Sequence, residues 1–539
     1  MPQPSDDPND PLNWPLWKRD LITFVLSLTA IFGTSLGPIL AANTLTLSLW
    51  FGLNFTYIAL LTGYFLLGVG VSGCFFVPSG RIWGKRHLFL LGTAILIGSS
   101  AWAGAVGRNY TSMLWARIIQ GVGCAPFEAF VNAAIADLYF VHERGKRMAF
   151  TNLAVFGGAF FTPILVGKIT HTLSWWWTFY FVAIFCAACL PAVYFLCPET
   201  AYRRDASLNT DMLASSNVNQ HDIKDRQTSS ADGNEEHRLA PVTNDKGGAA
   251  TPAADASAAE AGAPSTTAEP IPPKKTFAQS LALFDGRKTD ESFWKLFLRP
   301  FPLFLHPAFL WAMLIQGALI GWTVFIGVIL AAVFLGPPLF WTEVDTGYSY
   351  TGAFIGAILG FIVSGTLADW SAKAMTRANK GIYEPEFRIV LVIPQLIFGV
   401  AGLYGFGLSA QAVREQRSHW AIPVMFFAFE VCGMVIGAVA SSLYIVDAYR
   451  DLTIEGFTCL MIFKNFFSFA LTWKAYDWIV QGGVVKTFNA IGTVQLIICL
   501  LSIPMCEYPQ QDRSVPAYPL LTQLRRYLWE TCSRLLLQA

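Results

Sequence analysis

Four ionisable residues stand inside long apolar stretches of the sequence and are its best candidates for chemistry: Arg117, Glu128, Glu430 and Lys464. A charged side chain in the middle of a bilayer costs about 2.5–3.5 kcal/mol on insertion scales, so such residues are functional candidates by default. Arg117 and Glu128 are eleven residues apart, about three helical turns, and therefore share one helix face. Two carboxylates at different depths could pass a proton or cation along in steps. The alternative is that they form buried pairs, for instance Glu430 with Lys464, that only fix helix packing.

Other polar residues in or beside the apolar stretches are weaker candidates. Gln316 and Trp322 could contact a substrate, although hydrogen bonding between helices or plain packing would also explain them. Two acidic residues end their apolar stretches close to a basic residue, and these charges could gate a pathway or be structural end charges: Asp137, Arg144, Asp447 and Arg450.

The composition shows which elements must position these residues. Of 539 residues, 54% are hydrophobic and only 14% are charged, against about a quarter charged in ordinary soluble domains. The apolar residues fall into blocks of about twenty, the length of helix that spans roughly 30 Å of hydrocarbon. The sequence therefore predicts an all-α membrane protein. Twelve transmembrane helices are predicted near 20–42, 56–78, 87–107, 111–136, 148–168, 175–197, 307–335, 348–369, 388–409, 420–446, 456–473 and 487–506.

One long polar segment divides the spans into two bundles of six. Its centre is rich in Ala, Ser, Thr, Asp, Asn and Gly, and has too little hydrophobicity to offset the entropy of ordering. We therefore expect a disordered loop that acts as a passive tether. The predicted domains are an N-terminal tail (1–19), a first bundle (20–197), a linker (198–300) that is disordered over 205–273, a second bundle (301–506) and a C-terminal tail (507–539).

The short loops carry a charge bias that predicts the orientation. With the N-terminus in the cytoplasm, eight Lys and Arg residues of the first half lie on the cytoplasmic side and two on the other. Both tails and the linker are therefore predicted to be cytoplasmic. The sequons that begin at Asn54 and Asn109 then face the opposite side, where they could be glycosylated.

Several classes of protein are excluded. A net charge of +1 gives no electrostatic reason to expect nucleic acid as a partner. The ten cysteines are scattered, without a C-x-x-C pair or a His/Cys cluster, so no disulfide framework and no metal site are predicted. The sequence also lacks a G-x-x-x-x-G-K-[ST] phosphate loop and the G-x-S-x-G and H-E-x-x-H motifs. We expect neither an enzyme nor a bound cofactor, and transport would draw on an ion gradient or be passive.

A weak internal repeat relates the two halves. The fourth predicted span ends in Asp137-Leu138-Tyr139, and the tenth span, six helices later, ends in Asp447-Ala448-Tyr449. Many secondary transporters consist of two such repeats, with the substrate site at their interface near the bilayer midplane.

The stretch Arg117-Ile-Ile-Gln120-Gly121-Val-Gly123-Cys-Ala125 resembles the fourth-helix motif R-x-x-Q-G-x-G-x-A of the major facilitator superfamily. The resemblance implies the major facilitator fold and a part for Arg117 in proton coupling. Further stretches resemble the fungal drug:proton antiporter-like branch, which also contains histidinol-resistance type polyamine and cation permeases: DPNDPLNWP from Asp7, PET from Pro198, NKGIYEPEFR from Asn379, SLYIVDAYR from Ser442 and FKNF from Phe463.

Two motifs of this family are changed in the sequence. The loop after the second span is similar to G-x-x-x-D-R-x-G-R-R, but Arg81 occupies the acidic position, so the acid-dependent gating latch of the family is not expected in this half. The counterpart in the second half keeps its acid, Asp369. The fifth-helix antiporter motif is partial, with Gly158, Pro163 and Gly167 kept and Thr162 in place of a glycine.

The leading prediction is a secondary active transporter that exports a small metabolite or drug by alternating access, coupled to protons through Arg117 and Glu128. Glu430, Lys464, Gln316 and Trp322 are assigned to the substrate or ion path. The alternative is uptake of polyamines or other organic cations, although the four buried charges sum to zero. We expect small-molecule substrates, protons and the lipid bilayer as partners, a monomeric state, and a location in the plasma membrane.

Overall fold

The computed structural model describes residues 7–202, 273–336, 338–380, 383–449 and 452–507, with side chains in these ranges except at 141, 142, 144–146, 149, 332, 506 and 507. The predicted disordered stretch 205–273, apart from its last residue, and the tail beyond 507 lie outside the described residues. The chain divides into two units, Met1–Trp14 with Arg204–Lys275, and Pro15–Arg203 with Thr276–Ala539. In the first unit, Asn9 donates a hydrogen bond to the carbonyl of Pro273 (3.2 Å) and accepts one from the amide of Lys275 (2.8 Å).

The described part of the second unit consists of helices and contains no strand. Apolar stretches adopt helices in a membrane because only a helix satisfies its own backbone hydrogen bonds where water is absent. The spanning helices are α1 (Leu16–Ser35), α2 (Phe55–Trp83), α3 (Arg86–Gly104), α4 (Tyr110–Leu138), α5 (Val141–Thr172), α6 (Trp175–Leu196), α7 (Pro307–Phe334), α8 (Thr351–Ala378), α9 (Pro385–Arg414), α10 (Ala421–Ala448), α11 (Thr453–Gly482) and α12 (Val484–Leu500).

The predicted twelve-helix membrane fold is confirmed. Helices α2–α12 are long and apolar enough to cross a membrane, and α1 is the twelfth, with Lys18, Arg19 and Asp20 in its first turns. The first span ends earlier than predicted, because the chain leaves α1 at Gly37-Pro38 and continues as a 3-10 turn and a short helix, Thr44–Phe51. Helix α9 is irregular: it opens as a 3-10 helix, Pro385–Leu391, and contains a π-helical turn, Leu396–Val400.

The helices form two groups that follow the chain order. α1 packs on α4, α5 and α6, and α2 packs on α4; in the second half, α7 packs on α10 and α11, and α8 packs on α10. The two groups meet where α2 lies along α11 and α5 along α8. Below, the linker side denotes the side where α6 ends and α7 begins, which is the predicted cytoplasmic side.

Glycines let α2 and α11 approach closely along their length. A Cβ atom added at Gly63 would meet the Thr472 hydroxyl, and one at Gly73 would meet the end of the Met461 side chain. On the side opposite the linker, Gly167 of α5 lies against the carbonyl of Glu343, which begins a short helix before α8. Small residues are what allow helix backbones to pack this tightly in membranes. The two halves therefore touch along two extended seams.

The turn between α2 and α3 is held by a carboxylate from the start of the linker. Glu199 accepts hydrogen bonds from the backbone amides of Lys85 and Arg86, both at 3.0 Å, and from Ala201 at 2.8 Å. Gly84 precedes them with a positive φ of 93°, and a Cβ atom there would collide with the Glu199 carboxylate. Glu199 thus caps the N-terminus of α3, where an anion is favoured by the helix dipole.

Replacement of this carboxylate is expected to destabilise the first half. We predict that Glu199→Ala lowers the free energy of unfolding by about 1–2 kcal/mol, because three backbone amides lose a charged acceptor. Unfolding of the purified protein in detergent–SDS mixtures measures the change. Glu415→Ala, at an exposed carboxylate in the loop after α9, is the matched control, and equal loss in both variants would contradict the role of the cap.

Candidate functional site

An ion pair joins the two halves in the interior. Glu128 of α4 is paired with Lys464 of α11, and the side chains are only 19% and 17% exposed. Asn465, the next residue on α11, donates a longer hydrogen bond of 3.4 Å to the same Glu128 oxygen. Glu128 and Lys464 lie ten and eleven residues from the linker-side ends of their helices, about 15 Å deep at 1.5 Å per residue. The pair therefore lies near the bilayer midplane.

The suggested pairing of Glu430 with Lys464 is wrong. Lys464 is engaged by Glu128, whereas Glu430 is fully buried and accepts a hydrogen bond of 2.8 Å from the Thr323 hydroxyl of α7. Its second oxygen has no hydrogen-bond partner among the described residues. Gly402 of α9 packs directly on the Glu430 backbone. Glu430 is thus enclosed within the second half and apart from the pair that joins the halves.

Arg117 is completely buried and is held by neutral oxygens. Its guanidinium donates to the carbonyl of Leu36 (2.8 Å), to the carbonyl of Leu61 (3.2 Å) and to the side chain of Gln120 (2.8 Å). It also lies 4.9 Å from the ring centre of Phe65, within range of a cation–π interaction. The carbonyl of Leu36 is available because α1 ends there. Arg117 therefore ties α4 to α1 and α2, and none of these three hydrogen bonds reaches Glu128.

The two polar candidates on α7 make ordinary interhelical contacts. Gln316 accepts a hydrogen bond of 3.1 Å from Ser441 of α10. Trp322 is buried and meets the ring of Phe467 of α11 edge-on at 5.2 Å, while its indole N–H has no acceptor among the described residues. Both residues therefore lie between helices of the second half, and Trp322 borders the helix that carries Lys464.

The internal repeat reappears as a repeated ion pair on the linker side. Asp137 at the end of α4 pairs with Lys85 before α3 (2.6 Å), and Asp447 at the end of α10 pairs with Arg388 in the first turns of α9 (2.9 Å). These positions correspond, because α3 and α9 are the third helices of their halves. The side chain of Arg144 and the whole of Arg450 lie outside the description. Each acidic residue thus pairs with a basic residue at the start of the helix that precedes its own.

The tyrosines beside these pairs also interact with carboxylates. Tyr139 donates to Asp20 (2.7 Å), and burial raises the pKa of Tyr139 to about 12. In the second half, Tyr383 bonds Asp447, and burial together with that carboxylate raises the pKa of Tyr383. Both phenols are therefore neutral hydrogen-bond donors at physiological pH.

A second cluster that joins the halves was missed by sequence reasoning. Glu455, in the first turn of α11, pairs with Arg81 of α2 and with Arg299 of the segment before α7, the latter at 3.3 Å. Glu455 is buried, whereas Asp369, the acid kept in the second-half motif, is exposed and has no ion pair with a described residue. Glu455 lies one residue before the span predicted at 456–473, whereas the helix begins at Thr453. The basic residue at position 81 was the available signal that an acid must lie opposite.

The two sequons lie at helix starts on the side opposite the linker. Asn54 precedes α2, is exposed and makes no capping hydrogen bond with its side chain. Asn109 precedes α4, is exposed and accepts a hydrogen bond of 3.1 Å from the amide of Ser112. Glycosylation of either residue stays a prediction.

Two bundles of six membrane-spanning helices that meet at a largely enclosed ion pair are typical of secondary transporters of solutes. The family model of the Major Facilitator Superfamily matches residues 22–452. The chain belongs to this superfamily, as its fourth-helix motif suggested, and it is a multi-pass membrane transporter of small molecules and not an enzyme.

Two similar proteins match nearly the whole chain, and a third matches part of it. Protein HOL1 of Saccharomyces cerevisiae is 24% identical over 95% of this chain and 90% of its own length. The multidrug transporter TPO1_2 of Candida glabrata is 29% identical over 36% of this chain and 34% of its own. Among solved structures, the proton:xylose symporter XylE superposes with a TM-score of 0.57 at 13% identity, over 92% of this chain and 96% of its own.

The coupling between Glu128 and Lys464 is testable by a double-mutant cycle. We predict that Glu128→Gln and Lys464→Met each lower the free energy of unfolding, and that the double variant differs from their sum by about 0.5–3 kcal/mol. The cause is that each single variant leaves one buried charge unpaired. Lys474→Met on the same helix is the control, since Lys474 pairs with Asp477 instead. Additive effects for both lysines would refute the pairing.

Proposed function

We propose that this transporter exports a small, largely apolar metabolite or drug in exchange for protons. The observation that carries the proposal is the Glu128–Lys464 pair, which bonds the first half to the second near the midplane. A proton on Glu128 removes the negative charge and with it most of the attraction to Lys464. Proton binding therefore weakens a contact between the halves, which is what coupling to alternating access requires.

The low dielectric of the interior makes this pair sensitive to a single proton. Two unit charges at contact distance attract by about 1 kcal/mol in water but several times more strongly near a protein interior. Asn465 donates a longer hydrogen bond to the same Glu128 oxygen, so that oxygen has a second donor besides Lys464. Glu430 is proposed as a second proton-binding carboxyl, within the second half. One of its oxygens accepts a hydrogen bond from the Thr323 hydroxyl, and the other has no partner among the described residues.

Arg117 supports coupling as a positioning residue. The fourth-helix motif, by its resemblance to that of the superfamily, assigns Arg117 to proton coupling. The hydrogen bonds of Arg117 join α4 to the end of α1 and to α2. Movement of Glu128 is therefore transmitted to three helices of the first half together. Lysine could not reproduce this, because it lacks the planar fork that reaches three acceptors at once.

The chemistry around the ion pair favours a substrate of low charge. Glu128 and Lys464 neutralise each other, and Phe463 and Phe467 of α11 stack on one another at 5.6 Å beside them. Trp322 meets the same stack. An aromatic surface beside a neutral polar pair suits a mainly apolar molecule with a few polar groups. That a partly matching relative is a multidrug transporter supports this substrate class.

Uptake of polyamines or other organic cations has weaker support. A polycation needs carboxylates that are open and unpaired, whereas Glu128 is already neutralised by Lys464 and Glu430 is fully enclosed. As part of the proposal, the transporter acts as a monomer in the plasma membrane with both termini in the cytoplasm and with Asn54 as the more accessible glycosylation site.

Gating on the linker side is proposed to use the ion pairs of the helix ends. Arg81 and Glu455 join α2 to α11, and they must separate if these ends part during transport. The pairs Lys85–Asp137 and Arg388–Asp447 each lie within one half, and are proposed to keep the ends of α4 and α10 rigid while the halves move. Asp369, without a described partner, is left as a gating candidate only by the sequence motif.

Proton-driven transport is the decisive test. In vesicles that contain the purified protein, an imposed pH gradient is expected to drive accumulation of at least one of a panel of neutral aromatic drugs. Glu128→Gln, which cannot exchange a proton, is expected to abolish the dependence on the gradient, and Arg117→Ala to impair transport at normal surface expression. Glu415→Gln is the control. Accumulation indifferent to the gradient in the unmodified protein would refute proton coupling, and preferential uptake of spermidine would favour the alternative.

A charge exchange tests the gate. Arg81→Glu places two carboxylates together and Glu455→Arg places three cations together, so each is expected to reduce transport by roughly an order of magnitude. The double variant restores an opposite pair and is expected to recover most of the activity. Arg287→Glu is the control, since this guanidinium donates only to the nearby carbonyls of Thr289 and Glu291. A double variant no better than either single one would contradict the gate.

A further inference from the structure

The last part of the linker, which leads into α7, is bonded to the linker side of the first half and then crosses to the second half. We call residues 277–305 the strap. The carbonyl of Ser280 accepts from the Arg86 side chain, and the amide of Lys288 donates to the carbonyl of Ile82 (2.7 Å). Farther along, Arg299 pairs with Glu455, and the Cys459 thiol donates to the carbonyl of Pro300 (3.2 Å). The strap therefore follows the linker-side ends of α2, α3 and α11.

One side of the strap packs on the lipid-facing side of α2. Gly70 and Gly73 mark the face of α2 that is turned to α11. Val71 and Phe75, four residues apart on another face, are 43% and 46% exposed, as expected for apolar side chains that meet lipid. Phe297 of the strap lies on Phe75, with ring centres 5.1 Å apart. The strap thus sits against the membrane surface of the bundle.

The strap also carries an apolar stripe that the described residues leave largely exposed. Residues 293–304 are helical almost throughout, as the helices Phe293–Leu298 and Pro300–Leu303 joined by a helical Arg299. Four large apolar side chains recur at spacings of four, three and four, and so line one face of this helical stretch. They are Trp294 (65% exposed), Leu298 (50%), Phe301 (44%) and Leu305 (65%).

The position of the stripe indicates what covers it. It ends two residues before Pro307, where α7 enters the membrane, and it adjoins the exposed side of α2 through Phe297. The stripe is therefore continuous with the surface that lipid already covers. Its residue types fit the same medium, because tryptophan is enriched at the headgroup level and an amphipathic helix lies in the plane of the interface. Lys295, next to Trp294 and without an ion pair to a described residue, suits the lipid phosphates.

We propose that residues 293–305 form an interfacial element that inserts Trp294, Leu298, Phe301 and Leu305 into the boundary between headgroups and acyl chains of the leaflet on the linker side. The lipid surface binds this stripe as it binds a peripheral amphipathic helix, while the opposite side of the strap holds α2 and Glu455. The start of the second half is thereby anchored to the bilayer independently of the spanning helices.

Site-directed spin labelling in lipid vesicles tests the proposal. Nitroxides are attached to Trp294→Cys and, separately, to Phe301→Cys in the full-length protein with its accessible native cysteines replaced. Collisions with oxygen, which dissolves in lipid, are compared with collisions with a water-soluble nickel chelate. We expect the oxygen-to-nickel ratio to be several-fold higher at both positions than at Arg287→Cys, an exposed strap position away from the stripe.

Two results would overturn the proposal. Equal collision ratios at 294, 301 and 287 would mean that the stripe faces water. A low oxygen ratio at the stripe that rises only when another protein is added would mean that a protein partner, not lipid, covers it. If either substitution prevents folding, Leu298→Cys supplies a third position on the same face, and quenching by lipids with brominated acyl chains, compared between the unmodified protein and Trp294→Phe, gives an independent readout.

Discussion

A charge inside a bilayer has to be satisfied by the protein, because hydrocarbon offers neither water nor counter-ions. The buried charges of this transporter are satisfied to different degrees. Arg117 has three neutral acceptors within its own half, Lys464 has a carboxylate from the opposite half, and Glu430 has a single hydroxyl. The first arrangement involves no carboxyl group, whereas the other two do, and we propose that these two respond to a proton. The number and kind of partners of each charged side chain therefore separate the fixed contact of Arg117 from the contacts of Glu128 and Glu430 that are proposed to change.

The charges can meet only where backbones approach closely. Glycines at the seam between α2 and α11 bring the halves within side-chain reach, and Gly402 brings α9 onto α10 beside Glu430. Association of helices in lipid gains little from the hydrophobic effect, so such close packing and a few polar contacts supply most of the cohesion. The halves are thus held together by close packing along a narrow seam and by a small number of ion pairs.

The sequence was sufficient for the membrane class, the twelve helices and the buried charges Arg117 and Glu430 inside the spans, because length and hydropathy determine what a bilayer accepts. It also predicted a repeat that the structure shows as matching pairs, Lys85–Asp137 and Arg388–Asp447. It did not reveal the partners between the halves: Glu430 was only an example of a possible partner for Lys464, which pairs with Glu128, and Glu455 was not among the candidates. Such pairings depend on the rotation and register of helices hundreds of residues apart, about which the local pattern of either helix carries no information. The irregular turns of α9 were likewise not visible in its apolar composition.

The cap that Glu199 forms on α3 has a consequence for the linker. Its first described residues are held at the turn between α2 and α3, and Ser280 and Lys288 at its far end bond Arg86 and Ile82 of the same turn. The described residues on both sides of the intervening stretch therefore bond the same turn of the first half. Since each doubling of a closed loop costs only about 0.6 kcal/mol, insertions or losses there leave the mechanics almost untouched. We therefore expect changes in the length or composition of this stretch to have little effect on transport.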